Sequence, residues 1–214
     1  MAAQAIFRKS VFINCPFDHD FQPLFRATIF TVHYAGFLAR SALEVNDSSQ
    51  TRLLTIFQLV AACRYGIHDL SRTELDRTSG LPRFNMPLEL GIFLGCKQFG
   101  DRRQQQKRVL VLDVEPHRYQ KFISDIAGQD IVAHNKDPKL AIRQTRDWLR
   151  VSYQQRDLPG GERIWQAFSE FQRDLPQICA ELQLTPAELT FVDYRDIVIL
   201  WQQRQDPTRT VERL

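Results

Sequence analysis

"RVLVLDV", residues 108–114, decides the fold. Its near-continuous run of valine and leucine reads as a strand buried on both faces, the pattern of a parallel sheet rather than a half-solvated antiparallel one. Working outward, "MPLELGIFLGCKQF" (86–99) before it and "HRYQKFISDIA" (117–127) after it read as helices, and "QDIVAH" (129–134) as another short strand. Upstream, "YGIHDLS" (65–71) is a strand ending in polar residues; before it comes the helical "TRLLTIFQLVAACR" (51–64), with "NDSSQ" (46–50) offering N-cap residues. "FLARSALEV" (37–45) is strand-like, Gly36 stops a helix running from Phe21 to Tyr34, and "SVFINC" (10–15) is a β-branched and aromatic strand. "DPKLAIRQTRDWLRVSY" (137–153) is a helix with Pro138 near its start. Five strands alternating with helices predict an α/β fold: an open, mostly parallel five-stranded sheet with helices on both faces, flavodoxin-like in plan.

The pattern changes after "RDLPGGE" (156–162), beyond which nothing reads as a strand. The expected division is an α/β nucleotide-binding domain over 1–155 and a C-terminal helical extension over 156–214. Ile164, Phe168, Phe171, Leu175, Ile178 and Leu182 recur at steps of four and three, with Pro176 expected to kink or divide the helix. "TPAE" (185–188) has the form of a capping box starting a further helix, on which Phe191, Tyr194, Val198 and Trp201 share a face. Either this helical hairpin packs on the main domain, or it forms a homo-oligomer or partner interface.

Composition narrows the function classes. With 28 Lys and Arg against 25 Asp and Glu, the net charge of +3 is too balanced for a nucleic-acid or anionic-membrane footprint, and "DRRQQQKR" (101–108) reads as a solvated loop. Cys15, Cys63, Cys96 and Cys179 are far apart with no CxxC pair, as expected of reduced thiols in a cytoplasmic protein. No segment has the ~18 uninterrupted apolar residues of a membrane span, and the N-terminus lacks the form of a secretory signal. The histidines and cysteines lack metal-ligand spacing, so no metal is expected, and neither a P-loop nor GxGxxG appears.

In an open parallel sheet, ligands bind beyond the carboxyl ends of the strands. That rule singles out three places. "NCPFDHDF" offers Asn14, Phe17, Asp18, His19 and Asp20; "HDLS" offers His68, Asp69 and Ser71; and the loop before "PLELGIFLG" offers Arg83 and Asn85 and leads to Glu89. Their convergence on one pocket requires strands 10–15 and 65–71 to be neighbours. Near a helix N-terminus Glu89 gains about 0.3–1 kcal/mol from the macrodipole, which needs no function. Yet Glu89, Phe93 and Cys96 share a face, which sets the carboxylate on an apolar stripe, and Gly91 and Gly95 allow close backbone approach. A carboxylate buried there needs partners, or its pKa rises.

"PLELGIFLG" (87–95), followed by a polar loop and "KRVLVLD" (107–113), resembles the glutamate-leucine-glycine helix of the nucleoside 2-deoxyribosyltransferases. "FINCPFDHDFQPLFRAT" (12–28) is similar to the strand, aromatic and acidic loop and helix with which members of that family begin. The related TIR-like NAD-cleaving domains share the architecture and a helix glutamate, and the resemblance covers residues 10–135. It implies Glu89 as the catalytic carboxylate, Asp69 as an acid contacting the leaving base or ribose, and Phe17 with Asp18 as part of the nucleoside cradle. Asn14 and Ser71 join them as binding residues. The chain departs from the transferases in "LPRFNMP" (81–87), with Asn85 a further binding residue and Arg83 either receiving a phosphate or pairing with a local acid.

The expected activity is cleavage of an N-glycosidic bond in a nucleotide or nucleoside, with NAD as a substrate rather than a bound cofactor. A carboxylate stabilises or traps the oxocarbenium-like centre, and water or a second base decides between hydrolysis and transfer. His19 and His68 read either as general acids or as hydrogen-bonded scaffold residues. The alternative is a non-catalytic nucleotide-sensing or oligomerising module. A mixed form is a hydrolase activated by assembly, as in bacterial defence effectors that resemble TIR domains.

Overall fold

The computed structural model describes residues 2–75, 80–154 and 157–206. Five strands form one sheet in the order β2-β1-β3-β4-β5, every pair parallel. They are β1 (Ser10–Asn14), β2 (Leu38–Arg40), β3 (Tyr65–Asp69), β4 (Arg108–Asp113) and β5 (Ile131–Ala133). The helices are α1 (Ala2–Lys9), α2 (Gln22–Tyr34), α3 (Arg52–Ala62), α4 (Asn85–Phe99), α5 (Pro138–Tyr153), α6 (Gly161–Glu181) and α7 (Phe191–Gln205). The open α/β architecture is therefore the one the strand and helix alternation predicts.

β1 and β3 are central and buried along their whole length, as continuous apolar runs in a parallel sheet must be. β1 pairs with β3, Asn14 opposite His68, and the chain leaves β1 for β2 on one side while β3 lies on the other. This is the topological switch point, where the connections diverge and open a crevice.

Local chemistry explains the boundaries. Gly36, at φ +75°, ends α2 with Gly36 N–H donating to His33 and Phe37 N–H to Val32, a Schellman closure. The strand expected over 37–45 stops at Arg40, because Ser41 and Glu44 form a capping box that turns 42–44 into a 3-10 turn. Thr51 itself caps α3 by accepting from Leu54 N–H, in place of the preceding "NDSSQ". The helix expected over 117–127 is two short 3-10 turns, Arg118–Lys121 and Ser124–Ile126. There His117 sits at φ 59°, and Arg118 is tied to the Asp113 carboxylate and to Thr73. The α1 helix has no counterpart among the expected elements; eight residues give little periodicity to read.

α3 and α4 pack together on one side of the sheet; α2 and α5 lie on the other and carry α6 and α7. Ile164, Phe168, Phe171, Leu175 and Ile178 are buried there, with Phe30 of α2 5.3 Å from both Phe168 and Phe171. The chain's own α2 thus covers the stripe, except at Leu182, which is the C-cap and 44% exposed. α6 runs through Pro176 undivided; the proline lies on the exposed side, where water can satisfy the carbonyl it frees. "TPAE" is a turn instead of a helix start, because Thr190 and Asp193 supply the capping box and α7 begins at Phe191. Among the described residues no helix is long and apolar enough to cross a membrane.

Candidate functional site

A cleft of about 680 Å³ opens at the switch point. Three segments build it: the chain after β1 (Asn14, Cys15, Phe17, Asp18), the first turns of α3 (Arg52, Leu53, Ile56), and the approach to and start of α4 (Arg83, Asn85, Met86, Glu89). Six of the expected site residues therefore converge: Asn14, Phe17, Asp18, Arg83, Asn85 and Glu89.

Asp69 and Ser71 do not line it. Successive residues of a strand point to opposite faces, so when His68 shares a face with its partner Asn14, Asp69 is turned through the sheet. There its Oδ2 lies 3.0 Å from His134 Nε2, and its Oδ1 accepts from Ser71 N–H. Ser71 Oγ is 2.9 Å from the same Nε2, while His134 Nδ1 accepts from Lys136 N–H. Serine and aspartate thus meet one imidazole nitrogen, whereas a nucleophilic triad sets them on opposite nitrogens. This buried cluster ties β3 to the end of β5.

Asn14 is held on two sides. Its Nδ2 donates to the Met86 carbonyl at 2.9 Å and lies 3.0 Å from His68 Nδ1. His68 is fully buried between Phe12 and Phe93, and burial, reinforced by the Lys107 charge, pushes its pKa down to about 3. It is a neutral positioning group with no face on the cleft. His19 is exposed and also lies outside the lining.

Two carboxylates line the cleft, and their states differ. Asp18 accepts from Arg72 at 2.6 Å. Glu89 has no hydrogen-bond partner among the described residues; burial, only partly offset by the Arg52 charge, raises its pKa to about 7. Glu89 is the fifth residue of α4, past the turn where the macrodipole acts, so desolvation decides its charge state. Phe93 on the same face is fully buried, but open space surrounds Gly91 and Gly95, so the close approach expected there is absent. A glycine that does admit a neighbour beneath this helix is Gly66 of β3, where a Cβ would stand 2.8 Å from the Phe93 ring.

Arg52 and Cys15 were not expected. Arg52 lies a full turn and loop beyond β2, away from the residues that directly follow a strand. Its Nη1 donates to the Ala42 carbonyl at 2.8 Å. The Cys15 thiol is pushed well above its ordinary pKa, first by burial and then by the Asp69 and Glu89 charges, so it is not a ready thiolate nucleophile.

The cleft thus joins an aromatic and aliphatic wall, two guanidinium groups and one unpartnered carboxylate, which suits a ligand with a flat ring, hydroxyls and negative charge. No group of three potential metal ligands occurs among the described residues. No protein-family model matches the chain, and neither a curated protein nor a solved structure matches it.

Proposed function

We propose that the chain cleaves the N-glycosidic bond of a nucleoside or nucleotide, NAD included, with Glu89 as the catalytic carboxylate. The observation that carries this reading is the contrast at the cleft: Asp18 is committed to Arg72, whereas Glu89 faces the cleft with no hydrogen-bond partner among the described residues. An unpartnered, partly desolvated carboxylate gains most when positive charge develops beside it, as at C1′ of a sugar losing its base.

In the covalent form, a Glu89 oxygen bonds to C1′ as the C1′–N bond breaks and the base leaves with the electron pair. Water then attacks C1′, its proton passes to solvent, and the glycosyl ester breaks to return the carboxylate. In transfer, a second base replaces water. Asn14, fixed by His68 and Met86, presents an amide to a sugar hydroxyl or base, and Phe17 offers a ring face. Arg52 and Arg83 favour a substrate carrying phosphate over a free nucleoside. The resemblance of "PLELGIFLG" to the glutamate helix of the deoxyribosyltransferases supports the same reading.

The test is chromatography of NAD and a panel of ribo- and deoxyribonucleosides after incubation with the protein and with Glu89→Gln. Release of free base by the wild type and none by the variant is expected; equal release by both overturns the assignment.

One observation favours a second reading, a module that binds nucleotide and associates without cleaving it. Leu53, Leu54, Phe57, Phe84 and Leu88 are exposed on α3 and around the start of α4, next to the cleft, and apolar patches of this kind accompany association surfaces. Sedimentation with and without nucleotide tests it, and a monomer under both conditions rejects it.

A further inference from the structure

We propose that a second cleft, between α2, the turn after β2 and the start of α7, is a binding site for an aromatic phosphomonoester. The cleft measures about 410 Å³. Among the described residues two arginines line it, Arg26 and Arg52, and no carboxylate does. Asp193, the acid in the first turn of α7, is turned into its capping box with Thr190. Two guanidinium groups lining one opening give it positive charge, which a phosphate dianion neutralises while accepting their N–H groups.

The rest of the lining asks for a flat apolar group. Phe25 and Phe191 stack with ring centres 5.9 Å apart, and the Arg26 guanidinium lies 5.2 Å from the Tyr194 ring centre. Leu43 and Val45, 37% and 36% exposed, give the opening an apolar lip that water covers poorly. Arg26 is anchored by donating to the Pro186 carbonyl at 3.1 Å, which leaves Nε and Nη1 to a ligand. Arg52 lines both clefts, so a phosphate bound here draws on the same cation that faces Glu89. The inference concerns binding alone and stands whether or not Glu89 cleaves a glycosidic bond.

The test is calorimetric titration with phenyl phosphate, which has no sugar and so is no glycosidase substrate, with phenol and inorganic phosphate as separate probes. Expected is saturable binding of phenyl phosphate with one equivalent at the tightest site, at least tenfold tighter than either fragment. Arg26→Gln and Arg52→Gln each weaken it tenfold or more; Arg83→Gln, in the first cleft only, changes it less than twofold; and Arg26→Lys, which keeps the charge, retains it within fivefold. Absence of saturable binding, a loss below tenfold in Arg26→Gln, or an equal loss in Arg83→Gln overturns the proposal. Thermal melts of each variant show that the titrated protein is folded.

Discussion

Asn14 and His68 face each other across the β1–β3 pair, with the asparagine Nδ2 3.0 Å from the histidine Nδ1. Because the buried imidazole is neutral and the amide nitrogen can only donate, His68 Nδ1 accepts, and the amide is fixed with one N–H on His68 and the other on Met86 O. Asn14→Ala strands both acceptors. A loss of about 1–3 kcal/mol in unfolding free energy is expected by urea titration. An unchanged midpoint and slope would show that the pair holds nothing.

Glu89 gives a stability signature that requires no substrate. A carboxyl whose folded pKa is raised from 4.5 to about 7 binds its proton more tightly folded than unfolded. Wild-type stability therefore falls as pH rises from the unfolded value through the folded one. Glu89→Gln, which cannot ionise, matches the wild type near pH 4. Above pH 7 it is more stable, by about 1–3 kcal/mol once solvent screening of this partly exposed group is allowed for. Denaturation curves at both pH values check this, and a variant less stable at high pH contradicts it.

On the proposed function, the same group sets the pH profile of turnover. If Glu89 acts as the ionised carboxylate, kcat/KM climbs with pH to a plateau, with its midpoint near 7. A profile that falls across that range would make the protonated carboxyl the working form, as a general acid to the leaving base.

Asp69 and Ser71 separate fold from chemistry. Their contacts with His134 are buried, on the sheet face opposite Asn14. Asp69→Asn and Ser71→Ala each cost about 1–3 kcal/mol of stability and leave the turnover of the folded protein within about threefold. A hundredfold loss of kcat with an intact fold would return Asp69 to the reaction.

Three glycines behave oppositely. Gly91→Ala and Gly95→Ala add a methyl group to open space within α4 and stabilise it by up to about 1 kcal/mol each. Gly66→Ala drives a Cβ against Phe93 and His68 and costs about 1–3 kcal/mol. Melting temperatures order the three variants, and a stabilised Gly66→Ala would mean that Phe93 moves aside freely.

The sheet was legible because valine and leucine runs such as 108–114 have no other comfortable place in a chain of this size, and the rule about strand ends located half the cleft. Asp69 was misplaced because sequence adjacency to a strand end says nothing about which face a side chain takes until the neighbouring strand is known. Arg52 escaped because it belongs to the start of a helix, reached through a loop. The extra strand length assigned to 41–45 hid the Ser41 and Glu44 capping box, a local signal that was present and outweighed by the apolar residues around it. Pro176 misled because its cost depends on whether it faces water or the core, which periodicity alone did not weigh.

Phe30 touches Phe168, Phe171 and Trp201 from a helix whose other flank lies on the sheet. A chain cut at residue 155 would leave that ring and its neighbours in water, forfeiting about 1.5–3 kcal/mol for each large apolar side chain uncovered. The C-terminal helices are therefore expected to melt together with the sheet, and a mutation that loosens α7 to reach the switch-point cleft as lost folded protein rather than as an altered site.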